Sequence, residues 1–287
     1  MKILDGKEVK EKIYIKLKEK IKNEKLKLHL SVIQIGNNDE SNIYLKQKEK
    51  MAKELNIEFE HIKLDKNSSE KDIIEKIDRL NKDTKVHGIL IQLPLPSHIN
   101  TEKIQNKIAP LKDIDGVTDI NIGRLIHNKN CLISPTASGI IYLLEYNHIQ
   151  IEGKNVTIIG RSNLVGKPLA ILMNNHNATV SLCHSKTKNI KEYTKKADIL
   201  IVAVGKKNFI TKEYIKNGAI VIDIGINRFE NKVLVGDVDF ERVKKNTSFI
   251  TPVPGGVGQT TIAALAVNIY KANKLRESKN IGEKSDI

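Results

Sequence analysis

Short apolar runs alternate with helical patterns along most of the 287-residue chain, and this alternation constrains the fold more than any other feature. Such alternation is typical of βαβ units, whose strands lie parallel in one sheet. The nearly continuous apolar run at 86–92 predicts a strand that is covered on both faces. Strands are predicted at 28–35, 57–64, 86–92, 156–159, 179–183, 199–204 and 219–224, and helices at 6–27, 41–55, 69–80, 138–148, 165–174, 189–195, 211–216 and 261–273. Residues 110–136 lack a clear period and predict a long irregular connection between two α/β halves.

The chain is basic, with 48 Lys and Arg residues against 34 Asp and Glu residues. A net charge of +14 is compatible with nucleic-acid binding, but only six of the basic residues are arginine and only 4% of all residues are aromatic. We interpret the charge as a lysine-rich surface that favours anionic small molecules. No apolar run is long enough to cross a bilayer, and Cys131 and Cys183 are far apart. We therefore expect a cytoplasmic protein without a metal site and without a nucleic-acid or membrane partner.

The segment 160–166, GRSNLVG, follows a predicted strand and opens a predicted helix, which is the context of a dinucleotide-binding loop. Ser162 replaces the second glycine of the G-x-G-x-x-G pattern, so an ordinary strand-to-helix turn fits the pattern equally well. The next strand ends in 183–187, CHSKT, without the carboxylate that binds the ribose of NAD. Arg161 and Ser185 offer donors there instead, which favours the 2′-phosphate of NADP.

Lys48 is the lysine of the predicted helix 41–55 that falls on its apolar face. Its neighbours three and four positions away carry no charge: they are Tyr44, Leu45, Met51 and Ala52. Apolar surroundings lower the pKa of a lysine and can make it an acid or a base near neutral pH. The pattern also fits a lysine whose stem packs while its ammonium reaches water.

Three other segments contain the residue types of a ligand site. Gln92 ends the apolar strand just before Pro94, at the strand end where open α/β sheets bind ligands. Asp113 and Asp115 precede a glycine and suit either a donor-rich ligand or an ordinary Asx turn. The run 252–258, PVPGGVG, suggests close approach of the backbone to a ligand.

Together these segments resemble the bifunctional methylenetetrahydrofolate dehydrogenase/cyclohydrolase family, from the first helix to about residue 272. The resemblance implies an α/β fold with two domains flanking a cleft. The implied folate-binding catalytic domain spans 1–138 and is completed by the C-terminal helix 261–287. The implied NADP-binding domain spans 139–260 and is of Rossmann type, with a parallel sheet. The motifs that carry it are SNIYLKQK at 41–48, GILIQLPLP at 88–96, PLKDIDG at 110–116, IIGRSNLVGKP at 158–168, CHSKT at 183–187, VIDIGIN at 221–227, VGDV at 235–238 and PVPGGVG at 252–258.

The resemblance implies NADP-dependent oxidation of 5,10-methylenetetrahydrofolate to 5,10-methenyltetrahydrofolate and its hydrolysis to 10-formyltetrahydrofolate, usually by a homodimer. It makes Lys48 the catalytic lysine, assisted by Gln92, with Tyr44 packing over the folate and Asp115 anchoring the pterin. The remaining implied substrate contacts are Leu93, Pro94, Pro254, Gly255 and Gly256. The implied NADP contacts are Gly160, Arg161, Ser162, Val165, Ser185, Val204, Gly205 and Ile226.

Two segments depart from the family pattern. The P-C-T-P-x-G turn of the family is SPTASG at 134–139 here, and Gln259 and Thr260 stand where the family commonly has Pro and Met. Two other interpretations stay open. A different two-domain NADP oxidoreductase, such as one like shikimate dehydrogenase, would share the Rossmann-type domain but not the folate-site residues. A non-enzymatic nucleotide- or nucleic-acid-binding protein would leave Lys48 without a role.

Overall fold

The structure is a computed structural model that describes residues 1–228 and 234–282. In chain order its strands are β1 (Lys2–Ile3), β2 (His29–Ile35), β3 (Glu58–Leu64), β4 (Gly88–Gln92), β5 (Asn155–Ile159), β6 (Thr179–Cys183), β7 (Ile199–Val202), β8 (Ala219–Asp223), β9 (Asn227–Arg228), β10 (Leu234–Val235) and β11 (Thr247–Ile250). Its helices are α1 (Gly6–Asn23), α2 (Asp39–Leu55), α3 (Glu70–Lys82), α4 (Thr101–Gln105), α5 (Asp119–Ile126), α6 (Pro135–Tyr146), α7 (Gly166–Asn175), α8 (Ile190–Thr194), α9 (Phe240–Val243) and α10 (Val257–Gly282).

The chain divides into two compact units. The Lys48 unit comprises Ile13–Pro135 and Ile262–Ile287, and the nucleotide-loop unit comprises Met1–Lys12 and Thr136–Thr261. Each unit holds a parallel sheet, which confirms the predicted two-domain α/β class. Residues 1–12 group with the nucleotide-loop unit, although the sequence placed them in the first domain, because β1 pairs with β11.

In the Lys48 unit, the sheet has the order β3-β2-β4 among the described residues. Side chains alternate between its two faces, as strand geometry requires. Leu30, Val32 and Leu90 pack against residues of α1, α2 and α10. The other face of β2 and β4, with Ile33 and Ile91, packs against α3 and α4. Helices on both faces explain the continuous apolar run of β4.

In the nucleotide-loop unit, the parallel sheet has the order β1-β11-β8-β7-β5-β6 among the described residues. The chain runs from β5 to β6 on one side and then crosses to β7 on the other side of β5. The strand order therefore reverses between β5 and β7, and ligands of open α/β sheets bind at such a point.

Three element predictions differ from the structure. The predicted helix at 211–216 is a single 3₁₀ turn, Lys212–Tyr214, and the side chain of Thr211 makes no capping hydrogen bond. The supposedly irregular stretch 110–136 contains α5, whose start is capped by the side chain of Thr118. The last helix is longer than 261–273, and residues 283–287 of the predicted polar tail lie outside the described residues. No helix in the described part of the chain combines the length and the apolar character needed to span a bilayer.

Candidate active site and nucleotide loop

Lys48 and Gln92, which the sequence singled out separately, contact each other. The Lys48 ammonium donates a hydrogen bond of 2.7 Å to Gln92 Oε1. Lys48 is partly buried on α2, and the buried Gln92 is the last residue of β4. Because α2 directly follows β2, the neighbour of β4 in the sheet, the topology brings this helix to the carboxyl ends of the strands.

A third group fixes the orientation of the Gln92 amide. Its Nε2 donates to the carbonyl of Leu93 at 2.9 Å, so Oε1 is left to face Lys48. The buried Ser41 hydroxyl donates to the same carbonyl at 2.9 Å. The predicted helix began at Ser41, but α2 already begins at Asp39, and the Ser41 hydroxyl links α2 to the end of β4.

Asp115 is electrostatically coupled to Lys48. Burial lowers the pKa of the Lys48 ammonium, and the Asp115 carboxylate partly opposes this shift. Burial raises the pKa of Asp115 to about 6, with Lys48 lowering it and Asp113 raising it. The two groups therefore titrate closer to neutral pH than exposed ones do, as acid–base chemistry requires.

The segment that carries Asp115 is held next to β4. The backbone N–H of Ile89 donates to the carbonyl of Lys112 at 2.8 Å. Asp113 is fully buried and accepts from the Thr118 N–H and from Asn121 Nδ2, at 2.8 and 2.9 Å. The buried Lys112 ammonium donates to the carbonyls of Leu80, Asn81 and Asp83. The sequence missed Lys112 and Asn121, because the partners of Lys112 lie on and just after α3, and Asn121 reaches Asp113 from α5.

The other predicted folate contacts fall into two groups. Tyr44 is one helical turn before Lys48 on α2 and is 37% exposed, and Pro94, also exposed, follows Leu93. Residues 254–256 belong to the nucleotide-loop unit instead. There the Gly255 carbonyl accepts from the N–H of Gly6 at 3.0 Å.

The predicted NADP contacts follow the carboxyl ends of neighbouring parallel strands, so they share one edge of the sheet. Gly160 follows β5, Ser185 follows β6, Val204 and Gly205 follow β7, and Ile226 follows β8. The structure thus brings together, in one unit, four segments that are distant in sequence.

The loop from Gly160 to Gly166 is shaped by close backbone packing. Gly160 has a φ of +121°, and a Cβ there would strike the carbonyl oxygen of Ala203. A Cβ at Gly166 would strike the carbonyl oxygen of Gly160. Ser162 Oγ accepts from the Val165 N–H at 3.2 Å, so this serine satisfies a free donor at the start of α7.

The donor chemistry of this edge suits a phosphate. The side chains of Arg161, Ser162 and Ser185 are exposed. A tight turn presents Ser185, because the His184 N–H donates to Thr187 Oγ1 at 2.9 Å. A guanidinium and a hydroxyl, without a carboxylate in 183–187, fit the 2′-phosphate of NADP.

The two segments that depart from the family pattern contact each other. A Cβ at Gly139 would lie 2.8 Å from the backbone of the buried Thr260. Thr261 Oγ1 donates to Thr136 Oγ1 at 3.5 Å. The starts of α6 and α10 therefore pack closely here, and Thr260, one of the residues that depart from the family pattern, lies against Gly139.

Two family models match the chain: "Tetrahydrofolate dehydrogenase/cyclohydrolase, catalytic domain" over residues 4–115, and the "NAD(P)-binding domain" of the same name over residues 134–277. The chain is 48% identical over 278 residues to the bifunctional protein FolD of Acetivibrio thermocellus, covering 96% of this chain and 98% of that protein. This chain belongs to the tetrahydrofolate dehydrogenase/cyclohydrolase family. The bifunctional protein FolD of Bacillus subtilis is 46% identical over 275 residues, covering 95% and 97% of the two chains.

Solved structures of the family have the same fold. The bifunctional enzyme FolD of Campylobacter jejuni superposes with a TM-score of 0.94 at 45% identity, covering 96% of this chain and 99% of that one. The Trypanosoma brucei enzyme, complexed with NADP cofactor and inhibitor, has a TM-score of 0.89 at 34% identity, covering 95% and 97%. Shikimate 5-dehydrogenase of Thermus thermophilus is only 11% identical, with a TM-score of 0.51, and that likeness is one of fold alone.

One buried group at the nucleotide edge was missed by the sequence reasoning. Asp237 is fully buried, and its carboxylate accepts from the backbone N–H groups of the turn after β7. The motif VGDV at 235–238 carries part of the family resemblance, but no local signal connects it to a turn more than 30 residues earlier.

Proposed function

We propose that this chain oxidises 5,10-methylenetetrahydrofolate to 5,10-methenyltetrahydrofolate with NADP and then hydrolyses the product to 10-formyltetrahydrofolate. The observation that carries the proposal is the 2.7 Å hydrogen bond between Lys48 and Gln92, beside a carboxylate with a raised pKa, in a chain that matches both family models. Both reactions belong to one-carbon metabolism. We infer from the family that the products supply purine, methionine and histidine biosynthesis.

Lys48 is the proposed catalytic residue. NADP, when bound, accepts the hydride that leaves the methylene carbon, and the folate then carries a positive charge. Burial lowers the pKa of Lys48, so a larger fraction of it is the neutral amine. The neutral amine opposes the positive charge on the folate less than an ammonium would. In the second reaction the amine takes a proton from the water that adds to the methenyl carbon. The bond from that carbon to N5 then breaks as N5 takes up a proton, and the hydroxyl of the adduct loses its proton to become the formyl oxygen.

Three other side chains orient the Lys48 amine or the substrate in this proposal. Gln92 holds one hydrogen of the Lys48 amine and so directs its lone pair. The Asp115 carboxylate, when ionised, accepts hydrogen bonds from the donor-rich edge of the pterin. Tyr44 packs on the folate with its ring, next to Leu93 and Pro94.

The preference for NADP rests on the exposed donors of the nucleotide loop. Arg161 pairs with the 2′-phosphate, and Ser185 adds a hydroxyl contact; hydrogen bonds to charged groups contribute roughly 1.5 to 3 kcal/mol each. Gly160, Ser162 and Val165 shape the loop at the start of α7, where anions are favoured.

The domain roles and the assembly are part of the proposal. The Lys48 unit is the folate-binding catalytic domain, and the nucleotide-loop unit binds NADP. The family resemblance supports a cytoplasmic homodimer. The predominance of lysine over arginine supports a surface for anionic small molecules rather than a nucleic-acid or membrane partner.

The purified full chain tests the proposal directly. With methylenetetrahydrofolate and NADP we expect reduction of the cofactor, and with methenyltetrahydrofolate alone we expect hydrolysis. Retention of the chain on DNA that weakens steeply with salt, together with absence of both reactions, would favour a nucleic-acid-binding protein instead.

A further inference from the structure

We propose that Asp237 is a positioning residue that holds two of the proposed NADP contacts, the turn at Val204 and Gly205 and the segment at Ile226. This inference rests on the NADP role proposed above. Asp237 Oδ2 accepts from the N–H groups of Val204 and Gly205 at 2.7 and 2.9 Å. Its Oδ1 accepts from the N–H of Lys206 at 2.8 Å. One buried carboxylate thus satisfies three consecutive backbone donors of an otherwise open turn.

The same carboxylate reaches the second segment. Asn227 Nδ2 donates to Asp237 Oδ1 at 2.9 Å, and Asn227 directly follows Ile226, which is 45% exposed. Asp237 therefore connects the turn after β7 to the segment after β8, and the Ile226 side chain is held at the surface beside that turn.

The backbone at Asp237 is itself held by a second buried carboxylate, that of Asp223. The backbone N–H groups of Asp237 and Val238 donate to the two oxygens of the buried Asp223, at 3.0 and 2.9 Å. The Asp223 N–H in turn donates to Thr251 Oγ1 at 2.7 Å. A Cβ at Gly225 would strike the Asp237 carboxylate, so this position suits only glycine. The network is dense and leaves Asp237 little freedom to move.

The hydrogen bonds of Asp237 to the turn also determine which part of the dinucleotide the turn can bind. The N–H groups that backbone turns usually offer to phosphates are already occupied by Asp237. The negative charge inside the turn repels a further anion. The turn at Val204 therefore contacts an uncharged part of the dinucleotide, whereas Arg161 and Ser185 contact the phosphate.

Asp237→Asn tests the proposal. The amide keeps one acceptor oxygen, but its NH2 group faces backbone N–H groups of the turn, which are donors themselves, so part of the hydrogen bonding to the turn is lost. We expect the dissociation constants of NADP and NAD, measured by titration calorimetry, to rise together by about ten- to a hundredfold. Hydrolysis of methenyltetrahydrofolate, which consumes no NADP, should keep its kcat. The control is Asp239→Asn, whose side chain accepts from the Arg242 N–H at 3.4 Å in α9 and does not touch the turn.

Asn227→Ala provides the measurement if Asp237→Asn does not fold. It removes the connection between Asp237 and the Ile226 segment, together with a 3.3 Å hydrogen bond to the Val235 carbonyl, and leaves the bonds of Asp237 to the turn in place. We expect both dissociation constants to rise about threefold. Unchanged NADP binding in either folded variant, or a loss that is much greater for NADP than for NAD, would overturn the proposal. A wild-type chain that binds NADP but lacks both folate reactions would contradict the proposed function and leave this inference intact.

Discussion

Around Lys48, side chains hydrogen-bond to one another, and each depends on its neighbour for orientation: Lys48 on Gln92, and Gln92 on the Leu93 carbonyl that Ser41 also binds. Around Gly160, the backbone is shaped by glycines and a buried carboxylate, while the exposed side chains of Arg161 and Ser185 face solvent. Changes at the first region should therefore alter reaction rates, and changes at the second should alter nucleotide affinity.

Lys48→Met gives the largest expected effect. The substitution keeps the length and apolar character of the stem, so folding should survive, but the amine that assists water addition is lost. We expect hydrolysis of methenyltetrahydrofolate to fall by about 10² to 10⁴, as for loss of a general base, with unchanged NADP binding. Lys46→Met, on the exposed face of α2, is the control. Full hydrolytic activity in folded Lys48→Met would remove Lys48 from the mechanism.

Arg161→Ala should weaken NADP binding without affecting hydrolysis, the opposite of Lys48→Met. Loss of one charge-assisted hydrogen bond to the 2′-phosphate should raise KM for NADP by about ten- to a hundredfold and leave KM for NAD nearly unchanged. Hydrolysis should be unaffected. Arg242→Ala, which removes an exposed arginine of the same unit, controls for net charge. Equal efficiency of the wild type with NAD and NADP would contradict the predicted preference.

The local parts of both regions were predictable from the sequence. The period of helix α2 placed Lys48 on the apolar face, and the proline turn marked Gln92 as the end of a buried strand; both signals are local. The strand–loop–helix order around Gly160 was likewise readable, because the dinucleotide loop is contiguous. Which of these local segments lie close together depends on the order of strands in the sheets. The local patterns do not contain that order, and the grouping of the segments came from the family resemblance.

The missed features depend on contacts between distant residues. Asp237 acts 31 to 33 residues from the turn that it holds, and Ser41 acts on a carbonyl 52 residues away. Strand β1 is two residues long and gains its structure only by pairing with β11. No local period or composition reveals such partners.

The pH dependence should distinguish Asp115 from Lys48. Burial raises the pKa of Asp115 to about 6, so the carboxylate becomes protonated as the pH falls through that value and loses its ability to accept from the pterin. We expect KM for methenyltetrahydrofolate to rise several-fold, up to about tenfold, for each pH unit below about 6. Protonation of Lys48 should instead lower kcat. A KM that stays flat through this range, or that shows the same rise in Asp115→Asn, would remove the carboxylate from substrate binding.

Ser41→Ala should have the smallest effect and tests how far orientation passes along the side-chain network. The Leu93 carbonyl would keep its bond from Gln92 Nε2 but lose the one from Ser41, so the Gln92 amide would be held less firmly against Lys48. A neutral hydrogen bond contributes about 0.5 to 1.5 kcal/mol, and we expect kcat for hydrolysis to fall by about two- to tenfold without a change in NADP binding. Ser31→Ala is the matched control, because Ser31 is also buried in the Lys48 unit but donates to Glu60 at 2.7 Å. If both variants lost the same activity in proportion to a lower melting temperature, Ser41 would act through stability alone. A fall in kcat confined to Ser41→Ala at an unchanged melting temperature would mean that catalysis at Lys48 depends on a hydroxyl that never reaches the substrate.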